Sequence, residues 1–212
     1  MTRHGNRGGL LGILAGLLFL AFSFMHIAAH GLDASPDHAV VLGVSQDTWF
    51  ALGLLPYPLQ IYAFLSAMGA LKTQSRPLSR VLLWLALLGL CASAVGHAFL
   101  AVPYTEDWRT APTQQIGWST FALGNLTFAL SVLLGALSVP SAAGGPRVPL
   151  IVIGGALLSS FPLAMLDADH GYEFTLVPTL LYGLGWAWMG ATLLRHAPAS
   201  VAVEAAVEET QI

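Results

Sequence analysis

Six apolar stretches, each long enough to cross a bilayer, sort the charges of this chain onto two sides, and seven of its eight lysines and arginines fall on one of them. Arg3, Arg7, Lys72, Arg76, Arg80, Arg147 and Arg195 share that side, and Arg109 stands alone on the other. A hydrocarbon core of about 30 Å takes roughly twenty helical residues to cross, and basic loops stay on the cytoplasmic face. The expectation is an all-α integral membrane protein with six transmembrane helices arranged as three helical hairpins and with cytoplasmic N and C termini. Such a multi-pass protein belongs in the plasma membrane of a bacterial-type cell. The opposite side collects Asp33, Asp37, Asp47, Glu106, Asp107, Asp167, Asp169 and Glu173, together with His26, His30, His38, His97 and His170. Chemistry is therefore expected on the outer side.

Composition excludes the soluble alternative. With 56% hydrophobic and 9% charged residues and a mean hydropathy of +0.71, a water-soluble fold would lack the polar surface to cover itself. The lone cysteine, Cys91, rules out an intrachain disulfide and a cysteine-based metal site. A net charge of −3, with the positives scattered among short loops, gives no footprint for nucleic acid.

The spans are read at about Gly9–Ala29, Thr48–Leu71, Val81–Val102, Ile116–Leu137, Val148–Leu166 and Phe174–Leu194. Residues 1–8 form a cytoplasmic N-terminal segment, 9–196 the six-helix transmembrane domain and 197–212 a cytoplasmic tail. The first span exceeds the apolar region of a signal peptide and lacks a small-residue cleavage site after it, so it is read as a retained helix. Pro56 and Pro58 should bend the second span. The outer loop Gly31–Asp47, rich in acids and turn formers, is expected to fold over the mouth of the bundle.

A faint repeat runs through the returning helices: Phe50-Ala51-Leu52-Gly53, Phe121-Ala122-Leu123-Gly124 and, more loosely, Tyr182-Gly183-Leu184-Gly185. His26 and His97 each stand 24 positions before the aromatic of their hairpin. At about 1.5 Å per residue the two histidines sit at one depth, near the outer ends of their helices.

His26 and His30 form an i, i+4 pair that shares one helical face. An ionisable group such as His97 inside a span ordinarily faces a bundle interior or wet cavity. With Asp167 and His170 near the same level, His26, His30 and His97 supply donors for a transition metal, zinc or copper. His26 and His97 alone, on two helices, are equally suited to bind heme b as axial ligands. The first reading is an outward-facing His/Asp site holding a metal or heme and supporting redox or metal handling. Ordinary interfacial hydrogen bonding explains the same histidines without a cofactor.

A membrane-embedded metal-dependent lipid hydrolase is a second reading. The HxxxH pair and the Ser93/His97 spacing are similar to elements of the membrane zinc hydrolases related to ceramidases and progestin receptors, but those families carry HxxxH near the end of a seven-helix chain. The resemblance therefore implies no catalytic role for any residue here. The third reading starts from a deeper polar and aromatic set: Tyr57, Gln60, Trp118, Asn125, Tyr182 and Trp186. These residues would line a cavity for an amphipathic small molecule or lipid, as in a noncatalytic transporter, receptor or accessory subunit. Interhelical packing is the plain alternative for the same residues.

Overall fold

The fold is known from a computed structural model, which describes residues 2–32, 40–72, 75–102, 111–140, 145–166 and 174–196. Its helices are α1 (Thr2–Leu32), α2 (Gln46–Leu52), α3 (Pro56–Leu71), α4 (Pro77–Leu100), α5 (Pro112–Leu137), α6 (Arg147–Leu166) and α7 (Leu176–His196). Among the described residues five segments are long and apolar enough to cross a membrane: Asn6–Ala28, Thr48–Leu71, Pro77–Leu100, Pro112–Leu137 and Arg147–Ala164. Helix α7 has 21 residues, and its tyrosine, tryptophans and glycines dilute its hydropathy. The expected six-helix, all-α membrane fold is thus present, with its second span built from two pieces.

That division follows from proline chemistry. Pro56 and Pro58 have no N–H to donate, so a continuous helical ladder would lose the bonds to Leu52 O and Leu54 O. The chain instead tightens over Gly53–Leu55, where Leu54 N donates to Ala51 O and Leu55 N to Leu52 O, both at 3.0 Å. Ahead of α2, Val40–Val41 and Val44–Ser45 pair as a two-residue antiparallel hairpin. Leu42 and Gly43 form its turn at φ 56° and 76°, the left-handed pair of a tight hairpin connection.

Successive long helices run antiparallel in a ring. Helix α1 packs against both α3 and α7, α4 against α3 and α5, and α6 against α5 and α7. Glycines set the closest seams. A Cβ on Gly12 would meet the Gly190 backbone, and one on Gly190 would strike Gly9 and Ile13. In the α4/α5 seam, Cβ atoms on Gly89, Gly96 and Gly124 would run into the backbones of Phe128, Phe121 and Ser93. Small residues let helix backbones approach in lipid, where no hydrophobic force between helices exists.

The end of the ring holding the start of α1 and the end of α7 is solid. Phe64, Phe128 and Trp186 meet at its centre, all 0% exposed; the Phe128 and Trp186 rings stack with centroids 6.2 Å apart. Outward, the helices present Leu14, Leu65, Trp84, Leu88, Leu123, Leu134 and Leu184, a surface suited to lipid and untenable in water. Helix ends are satisfied locally: Arg147 Nε donates to Ala136 O of α5 at 3.1 Å. Gln114 Nε2 donates to Val102 O at 3.2 Å beyond the end of α4.

Candidate functional site

The opposite end of the ring, where α1, α4 and α6 finish and α2, α5 and α7 begin, is hollow. A cavity of 450 Å³ opens there, and its walls include Phe19 and Phe22 of α1, Trp49 and Phe50 of α2, and Trp118 and Phe121 of α5. His26, His97, Asn125 and Ser160 add polar atoms to this largely aromatic wall. A smaller space of 100 Å³ lies deeper and shares Phe19, Tyr57, Phe121 and Asn125 with the first; Gln60 and Tyr182 line only the deeper one. The hollow thus tapers toward the solid core.

His97 is the best-held polar group at the site. Its ring stacks on Phe50 at 4.3 Å and meets Tyr57 at 5.6 Å and Phe121 at 5.7 Å, both edge to face. The Nε2 atom lies 2.8 Å from Phe50 O. A carbonyl only accepts, so Nε2 carries the proton and donates. Nδ1 is buried without a hydrogen-bond partner. The acceptor exists because of the broken second span: Phe50 O takes Gly53 N at 2.9 Å in a four-residue turn and has a lone pair left for the imidazole. Gly53 is what lets the ring in, since a Cβ there would stand 3.0 Å from His97 Cε1. Ser93, one turn below, donates to its own helix at Gly89 O, 2.9 Å, so it does not support the imidazole.

His26 lines the same cavity as His97, and its ring lies 5.4 Å from that of Phe50. The ring of Phe50 therefore touches both imidazoles. Direct ligation by His97 would have to use Nδ1 or break the bond to Phe50 O. Among the described residues, no three His, Cys, Asp or Glu side chains are grouped to hold an ion. Asp167, Asp169 and His170 lie outside the described residues, as does the side chain of His30. The loop expected to cover the mouth is described only from Val40 onward.

The aromatic set divides between cavity and core. Tyr57, Trp118 and Asn125 line the main cavity, and Gln60 and Tyr182 the deeper one. Trp186 instead fills the solid core against Phe128 and is not a wall residue. Sequence reasoning passed over Phe19, Phe22, Trp49 and Phe50 as wall residues, although Phe50 and Phe121 are the very aromatics of the repeat. Their fixed spacing from His26 and His97 was the available signal: His26 meets Phe50, and His97 meets Phe121. Comparison with protein-family models, curated proteins and solved structures finds no match to this chain.

Proposed function

We propose that this chain is a ligand-binding membrane protein, a transporter, receptor or accessory subunit, that takes an amphipathic small molecule or lipid into its aromatic cavity. The observation that carries this reading is the 450 Å³ hollow walled by aromatic rings, with sparse polar groups at its mouth and depth. Ligand sites are typically about 300–1,000 Å³ and mostly apolar, with a few placed polar groups. His97 in this reading fixes α2 to α4 and so shapes the wall. Native mass spectrometry of protein released from its own membranes should show a retained small molecule. That mass should disappear when Phe121→Trp fills the space beside His97. Persistence of the same bound mass in that variant would overturn the reading.

A metal or heme b site is the second reading, favoured by the presence of His26 and His97 on one cavity. Redox or metal handling would follow from it, and lipid hydrolysis would require the same ion to activate water. An absorption spectrum with a Soret band, or stoichiometric zinc or copper by elemental analysis, is the expected result under this reading. A colourless, metal-free protein that still retains an organic ligand excludes it.

The plasma membrane orientation is proposed with both ends of the six-helix unit in the cytoplasm. Arg7, Lys72, Arg76, Arg147 and Arg195 lie at or beside the helix ends that form the solid end of the ring, and positive residues stay inside. Single cysteines placed near Ser141 and near Asp107, in a Cys91→Ala background, should be labelled by an impermeant thiol reagent from opposite sides. Labelling of both from the same side would reject the topology.

A further inference from the structure

The deepest part of the hollow carries a polar group that the fold itself leaves unused. Gln60, on α3, is 1% exposed, lines the inner chamber, and has an Nε2 atom buried without a hydrogen-bond partner. An amide buried this way is costly unless something completes it. A half-turn of its terminal torsion would offer the chamber either the N–H pair or the oxygen, so it suits a group that accepts, donates or does both.

Three features of the surroundings narrow that group. Among the described residues no Lys, Arg, Asp or Glu lines either chamber, so a charged headgroup at this depth would be buried unpaired at prohibitive cost. The inner walls, Phe19, Tyr57, Phe121 and Tyr182, present ring faces and edges, which favour a flat ring over a flexible chain. The wider chamber behind leaves room for an apolar substituent leading back toward the mouth.

Resting on the ligand-binding reading above, we propose that the cavity recognises a flat, uncharged, lipid-soluble ring that enters oxygen first, its carbonyl or hydroxyl meeting the Gln60 amide. Lipid quinones and sterols share that chemistry. Fatty acids and phospholipid headgroups do not.

Purified full-length protein in nanodiscs tests this by tryptophan emission, because Trp49 and Trp118 stand in the cavity wall and quinones quench indole. A naphthoquinone with a short isoprenoid chain should quench saturably. Displacement by excess sterol would assign the site to rings generally; failure of sterol with retained quinone binding would narrow it to quinones. Both results support the proposal, whereas displacement by palmitate as effective as by quinone overturns it. Gln60→Leu and Gln60→Met should each weaken quinone binding by about tenfold or more, the usual consequence of deleting a buried hydrogen-bonding group. Their thermal stability should match or exceed that of the parent, since the buried Gln60 Nε2 has no hydrogen-bond partner among the described residues. Quinone affinity within twofold of the parent in both variants overturns the role of Gln60. If quinone, sterol and palmitate all fail to bind while native mass spectrometry still shows a retained ligand, this inference falls and the ligand-binding reading stands. If no ligand is retained either, both fall.

Discussion

Replacing Gly96 or Gly190 by leucine should abolish the folded protein, and the same change at Gly69 or Gly155 should not. The difference lies in what a side chain would meet. At Gly96 a Cβ collides with the backbone of Phe121, and at Gly190 with Gly9, Gly12 and Ile13. These are helix backbones, which cannot turn aside as a side chain can. Separating them would unpack a whole seam. Ordinary overpacking costs about 1–3 kcal/mol, and a seam held only by close packing in lipid has no hydrophobic force to restore it. Gly69 and Gly155 have nothing within 4 Å of a Cβ. Alanine at either should be neutral or stabilising by up to about 1 kcal/mol, through helix propensity. Size-exclusion profiles and thermal unfolding of detergent-solubilised variants would check both halves. A monodisperse Gly190→Leu protein with parental stability would show that the α1/α7 seam is not as close as the glycines indicate.

Much of this architecture is readable from letters alone, because a bilayer demands that each spanning segment satisfy its own backbone. The expected fourth span at about Ile116–Leu137 appears as Pro112–Leu137, and the fifth, about Val148–Leu166, as Arg147–Leu166. Length and hydropathy suffice for such elements. Which face of a span looks inward is another matter, since lipid and core are equally apolar and give no contrast in pattern. Trp186 and Trp118 illustrate this. Both are aromatics on apolar helices, yet one is 0% exposed in the solid core and the other 46% exposed beside the cavity. The partner of His97 was hidden for a different reason. It is a main-chain carbonyl at the end of α2, whose i+4 partner, Leu54 N, turns to Ala51 O instead, and a carbonyl has no letter in a sequence. The two prolines announced a bend. That an imidazole from another hairpin would fill the gap depends on Gly53, whose missing side chain is the one local sign of the approach.

His97→Ala should loosen the hollow end while sparing the solid one. The substitution removes the donor to Phe50 O and the stacking partner of Phe50, and it takes away the ring that Tyr57 and Phe121 meet edge on. A lost buried hydrogen bond, lost aromatic contacts and the space left behind together amount to about 2–4 kcal/mol. The damage should concentrate on α2, because the bond from His97 ties it to α4 just ahead of the proline break. Hydrogen exchange should therefore rise across 46–55 and stay at parental levels in 126–136, where the core is fully packed. His97→Gln, which keeps an amide N–H near the carbonyl, should recover part of the protection but none of the stacking. His26→Ala then separates the two functional readings. If the histidines bind a metal or heme as a pair, either alanine should abolish cofactor retention. If His97 instead shapes an organic ligand's pocket, His97→Ala should weaken ligand retention strongly, and His26→Ala, which leaves the α2–α4 bond intact, only mildly. Parental exchange rates across 46–55 in His97→Ala would refute the structural role on which that distinction depends.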